Sequence, residues 1–365
     1  MDGKGGGNTL SLVAVAFVLF AAACGSFKNA GSPPGGDAGD AGEASTLESG
    51  ASADAGGSNA AIADSASVDA LPGNDGGCGA MCGSNTAAIL FGGFDEQDLG
   101  DTWSFDGVSW SQSDGGVTPT ARLGAAMAPL HGEVVLFGGE DTNLTELAET
   151  WVWSGSAWSH AGATGPPGRS NAGTATLGSE VVLFGGEGDQ GPVGDTWTWD
   201  GSAWKQRSAV GPSAREGPAM ATLGNEVVLF GGRDANFDDQ GDTWTWDGAA
   251  WTKRMPGHAP SAREFAVAAT LGSTVVLFGG FSGPALGDTW TWDGTDWTQQ
   301  MPSTSPDARQ ASGIATLGDR VALFGGWDGG STFYSDTWLW DGSQWMVAST
   351  VGPSYRGQPA MCGPD

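Results

Sequence analysis

Histidine and tyrosine are almost missing from this chain: its 365 residues include only His131, His160 and His258, and only Tyr334 and Tyr355. No Ser-His-Asp arrangement, phosphate-binding loop or complete cluster of metal ligands accompanies them, which leaves little material for nucleophilic, nucleotide-dependent or metal-assisted chemistry. Neither a metal nor any other cofactor is expected. Cations are scarce as well. Lys and Arg total 14 against 42 Asp and Glu, and a formal charge of −28 repels nucleic acid and anionic headgroups alike. Charged residues make up only 15% of the chain while glycine numbers 64, a composition that supports helices poorly. One apolar run stands out, residues 10–23, and it is too short to span a bilayer comfortably.

What is abundant is repetition. Phe-Gly-Gly begins at Phe91, Phe137, Phe184, Phe230, Phe278 and Phe324, at intervals of 46, 47, 46, 48 and 46 residues. A constant period of this size makes each copy one supersecondary unit stacked on its neighbours. In the copy 215–251, a small apolar stretch precedes the turn Leu223-Gly224-Asn225, and a Val-rich strand runs into Gly231-Gly232. After a polar loop come Thr243-Trp244-Thr245-Trp246 with period 2, a tight Asp247-Gly248 turn, and Trp251 opening a last strand. Four short strands per period describe the blade of a β-propeller, so an all-β, six-bladed ring is expected.

The Gly-Gly ending of a hydrophobic strand, followed by spaced aromatics and a final Trp, resembles the kelch repeat. The resemblance covers residues 82–365 and implies a kelch-type propeller. Where that family usually has Tyr on the third strand, this chain has Phe105, Trp153, Trp199, Trp246, Trp292 and Trp340. Of 18 Trp, 17 fall in three aromatic columns of the repeat and read as core rather than as sugar-stacking surface. The first copy lacks the Pro-x-x-Arg strand found in the others, and residues 356–361 supply it at the far end of the chain. The C-terminal strand is therefore expected to close the first blade. On the repeat, Cys362 and Cys82 align at one position, so a disulfide between them is expected, with Cys78 as the other candidate partner.

Ahead of the repeats, residues 1–23 read as a signal peptide. Ala21-Ala22-Ala23-Cys24 resembles a bacterial lipobox, which implies lipidation of Cys24 and a place at the cell envelope, periplasmic or on the surface; secretion after Ala23 is the alternative. Residues 24–77, rich in Gly, Ala, Ser and Asp, read as a disordered linker. As a flexible coil, ~50 residues would span roughly 40 Å. Residues 78–365 form the propeller domain.

Strand parity puts the short Leu-Gly and Asp-Gly turns on one face and the variable second-to-third and inter-blade loops on the other, where binding is expected. Arg122, Arg169, Arg215, Arg263, Arg309 and Arg356 begin the inner strands on that side. They read either as a cationic ring that grips a carboxylate or as partners of Asp101, Glu149, Asp195, Asp242, Asp288 and Asp336, one pair per repeat. Directly after each Gly-Gly stand Phe94, Glu140, Glu187, Arg233, Phe281 and Trp327. The aromatics Phe94, Phe281 and Trp327 belong to adjacent blades and are candidates for stacking a sugar or a peptide side chain. Asp234, Asn236 and Asp238 imitate the opening of an EF-hand loop, but Asp239 replaces its glycine and Thr245 its closing Glu.

Among kelch-like propellers, galactose oxidase needs Tyr and His copper ligands that this chain does not supply. The expected function is a cell-envelope binding or scaffold protein for a glycan, peptide or protein. The alternative is a cofactor-free, mutarotase-like sugar isomerase using channel residues such as Arg215 with Glu216 or Arg263 with Glu264.

Overall fold

The structure, a computed structural model, describes residues 87–364 apart from Gly115, Ala163, Ser208, Ala209 and Thr350. The expected signal peptide, linker, lipidation site Cys24, and both Cys78 and Cys82 lie outside the described residues. Within them are six four-stranded antiparallel sheets and no helix, one sheet per repeat, set as the blades of a β-propeller. Blade 4 is representative. It runs outward through Ala219–Leu223, Glu226–Phe230, Thr243–Trp246 and Trp251–Arg254.

Blade 1 closes the ring as expected. Its three outer strands are Ala88–Phe91, Thr102–Phe105 and Trp110–Gln112, and its inner strand is Ala360–Cys362. Phe91 pairs with Ala360, Leu90 with Met361 and Ile89 with Cys362. Cys362 is buried there, in the apolar layer shared with blade 2.

Each letter of the repeated phrase has a physical task. The core consists of six apolar layers, each formed where one blade faces the next. The Val-rich second strands are apolar on both faces because both face a neighbouring blade. The Phe before each Gly-Gly sits edge-on to the outer-strand Trp of the following blade, as in Phe230–Trp297 at 5.4 Å and, across the closure, Phe324–Trp110 at 5.0 Å. Such a pair adds about 1 kcal/mol to the area it buries. The indole of that same Trp donates back to the Thr that opens the third strand of the preceding blade. Trp297 reaches Thr243 and Trp110 reaches Thr337, and the bond is made at all six interfaces. The Phe and Trp columns are thus architecture, as the repeat implied.

The loop end of the channel carries a feature that the repeat did not announce. Gly124, Asn171, Gly217, Phe265, Ala311 and Gln358 all have positive φ, between 51° and 63°. The N–H of each donates to the carbonyl of the next around the axis, from Gly124 to Gln358, Ala311, Phe265, Gly217, Asn171 and back to Gly124. This belt of six backbone bonds ties all blades together, including both sides of blade 1. Below it, small inner-strand residues such as Ala128, Thr174, Ala221, Ala269 and Ala315 line a channel of about 500 Å³.

Candidate functional site

Of the two readings of the six arginines, the structure shows the paired one at every blade. Arg215 and Asp242 approach to 2.6 Å, Arg263 and Asp288 to 2.6 Å, and Arg356 closes the ring on Asp101 at 2.7 Å. Arg169–Asp195, Arg309–Asp336 and Arg122–Glu149 complete the set. Each arginine is at most 2% exposed, and its remaining donors go to the carbonyl two residues earlier and to the first glycine of its own Gly-Gly. The cationic grip expected of Arg122, Arg169, Arg215, Arg263, Arg309 and Arg356 is therefore not on offer to a ligand. The same carboxylates accept the indole N–H two residues on, as Trp244 donates to Asp242 at 2.7 Å. Burial alone would raise the Asp242 carboxyl, but hydrogen bonds from Arg215 and Trp244 and the Arg215 charge hold it below the usual range. We call this ring the girdle.

Gly-Gly is required where the girdle crosses between blades. The second glycine of each pair donates to the carbonyl of the next blade's arginine, as Gly232 does to Arg263. A Cβ on Gly231 would lie 2.5 Å from that carbonyl oxygen, and both glycines have positive φ.

One residue outside the girdle lies the rim of the loop face, where the repeat breaks. In each blade the residue after Gly-Gly bridges to the residue after the arginine: Gly357–Phe94, Leu123–Glu140, Ser170–Glu187, Glu216–Arg233, Glu264–Phe281 and Gln310–Trp327. On its other side it bridges to a residue of the returning loop: Asp98, Glu146, Pro192, Asp239, Ala285 and Phe333 in blade order. Directly paired residues project their side chains to one side, so these rows form a grid of 18 positions.

The grid divides in two. On blades 6 and 1, Phe333 stacks with Trp327 at 5.8 Å and touches Phe94 at 6.2 Å and Tyr355 at 6.2 Å. Phe281 of blade 5 joins this arc through the loop of blade 6, where Gly329 leaves it room; a Cβ there would come within 2.8 Å of its ring. The structure thus brings Phe94 and Trp327 together through Phe333, a residue that the repeat did not single out. Blades 2 to 5, with Asp98 of blade 1, carry the carboxyl groups of Glu140, Glu146, Glu187, Glu216, Asp239 and Glu264. Arg233 is the one cation among the 18 positions, held by Glu216 at 2.6 Å and by Glu264 at 3.0 Å.

Crowded acids hold their protons. Burial, with the charges of Glu140, Glu187 and Asp189, pushes the Glu146 carboxyl up to about 9, although Ser170 donates to it at 3.2 Å. Burial and the charges of Glu216 and Asp239 bring Glu264 to about 7 against the pull of Arg233. Glu140 and Asp98 each rise to about 6 through burial and neighbouring carboxylates.

Other acidic residues of this face serve the loops. Asp141, Asp234 and Asp328 each accept backbone N–H groups two and four residues on. The EF-hand-like start at Asp234 is thereby an Asx-type turn. Among the described residues no group of three His, Cys, Asp or Glu side chains is placed to hold a metal ion. Arg215 and Glu216 point apart, the first to Asp242 and the second to Arg233, as alternation along a strand requires.

Residues 202–362 match the model of the KLHDC2/KLHL20/DRC7 Kelch-repeats domain. The match covers blades 4 to 6, the outer strand of blade 3 and the closing strand of blade 1. No curated protein matches the chain.

Proposed function

We propose that this kelch-type propeller is a binding or scaffold protein of the bacterial cell envelope, offering its loop face to a protein or peptide partner, with a glycan as the alternative. Kelch propellers are commonly protein-interaction scaffolds. The observation that carries the reading here is the division of the rim. The girdle spends every repeat arginine on structure, while the symmetry-breaking residues gather into one aromatic and one acidic arc on a single face. Phe94, Phe281 and Trp327 belong to the aromatic arc, and Phe333 and Tyr355 extend it. Tethering through lipidated Cys24 would hold that face off the membrane, and a disulfide from Cys362 to Cys82 or Cys78 would secure blade 1.

Photo-crosslinkers at exposed Phe237 on the loop face and at exposed Val108 on the turn face test the assignment. The loop-face probe is expected to give a partner adduct that Trp327→Ala removes; adducts from Val108 alone would reject the reading. Cys24→Ser is expected to release the chain from the membrane fraction. Mass spectrometry of the non-reduced chain should show Cys362 linked to an N-terminal cysteine.

A further inference from the structure

Three observations set the acidic arc apart from an ordinary solvated patch. Glu216 is only 3% exposed and its Oε1 is held by Arg233, yet its buried Oε2 accepts no hydrogen bond. Glu146 lies in the same arc, sharing a carboxyl–carboxyl hydrogen bond with Glu140 while Ser170 donates to its Oε1. The single guanidinium of Arg233 is divided between Glu216 and Glu264, the latter 5% exposed, so one positive charge answers two buried carboxyl groups. Withdrawing carboxylates from water without matching donors is costly, and a group that brings N–H donors and positive charge relieves the cost.

Nine of the chain's ten arginines are already engaged. Six of its ten arginines are locked in the girdle, Arg207 and Arg254 pair with Glu180 and Glu226, and Arg233 is already shared. The carboxyl groups are spread over four blades rather than gathered around one point, which suits directional N–H donors at the end of a long side chain better than a metal ion. Beside the acidic arc on the same rim, the rings of Trp327, Phe333 and Phe94 offer flat apolar ground to neighbouring residues of an extended ligand.

We infer that the acidic arc of blades 2 to 5 receives the lysine or arginine side chain of a basic peptide segment whose flanking residues lie on the aromatic arc. The inference rests on the loop face being the docking face and deepens that reading. It carries a proton signature. Glu146 faces Glu140, Glu187, Asp189 and the Ser170 hydroxyl; Glu140 faces Asp98, Asp141, Glu146 and Glu216; Glu264 faces Arg233, Glu216 and Asp239. An arriving cation favours the ionised form of all three, so binding releases protons and tightens as pH rises from 6 to 8.5. Exposed carboxylates with ordinary titration near 4 would give no change over that range.

The test is calorimetric titration of the full chain with hexalysine, with ε-acetylated hexalysine and with spermine, at low salt and at both ends of that pH range. Hexalysine is expected to bind with proton release and to gain about tenfold in affinity between pH 6 and 8.5. Glu216→Gln and Glu140→Gln are expected to weaken it about tenfold at pH 7.5, whereas Glu133→Gln and Asp319→Asn on the turn face change it less than twofold. Equal loss from the turn-face variants, or equal binding of the acetylated peptide, would overturn the inference. Spermine binding without hexalysine binding would overturn the peptide assignment. Failure of hexalysine while the Trp327-dependent loop-face adduct persists sinks this inference alone; loss of both sinks the docking reading beneath it.

Discussion

Girdle and rim are one residue apart in sequence and opposite in electrostatic character. Arg215 and Glu216 are neighbours, both buried, yet the first belongs to a charge pair repeated around the ring and the second to a surplus of acid with no counterpart on the other side. In the girdle every guanidinium meets a carboxylate whose remaining lone pair takes an indole N–H, so its charges are settled within the fold. On the rim the repeat lapses, carboxyl groups crowd around the one cation Arg233, and the protons of Glu146 and Glu264 are held well above the ordinary range. The difference separates what the fold needs from what is left for a partner.

Removing a girdle arginine breaks the comparison most severely. Arg263→Ala leaves the half-buried Asp288 without its counter-charge and deprives the buried Gly279 carbonyl of a donor. A loss of about 3–5 kcal/mol in denaturant unfolding is expected, against less than 1 kcal/mol for Glu216→Gln on the rim. Comparable losses would erase the distinction.

A pH series sharpens it. Glu146 titrates near 9 when folded and near 4.5 when unfolded, so the folded state binds more protons between those values and stability falls as pH rises through them. Girdle carboxylates behave oppositely. Asp195, Asp242, Asp288, Asp336 and Asp101 are depressed, so their contribution is present above their unfolded value of 3.8 and is lost as pH falls below it. The melting temperature should therefore peak near pH 5. Glu146→Gln should remove part of the alkaline decline, raising Tm at pH 8.5 by about 3 °C and leaving it unchanged at pH 5.

The smallest effect separates two Trp columns. Trp251 donates to Thr196, whereas the indole N–H of Trp246 has no hydrogen-bond partner, and blade 1 already carries Phe105 in that column. Trp251→Phe is expected to cost about 1 kcal/mol more than Trp246→Phe by chemical denaturation.

Much of this fold was legible because the repeat states it six times. Strand order, the closing role of residues 356–361 and the structural role of 17 Trp, 11 of them buried and six half-buried against the core, follow from aligning the copies. The pairing of arginine with acid was one of two readings, and burial decided it. The rim was harder. Phe94, Phe281 and Trp327 stand at a fixed offset from Gly-Gly and were found, but Glu146 and Phe333 sit in returning loops of unequal length, where no register links them to the repeat. Tyr355 precedes a girdle arginine and shows nothing in sequence of its contact with Phe333. The belt of positive φ had no compositional signal either, since only Gly124 and Gly217 of its six members are glycine.

The most direct test of the contrast is ¹³C NMR titration of side-chain carboxyl groups in the folded chain. Glu146 is expected to titrate near 9 and Glu264 near 7, while the girdle aspartates stay ionised below their ordinary 3.8. A single ordinary titration shared by rim and girdle would contradict the account.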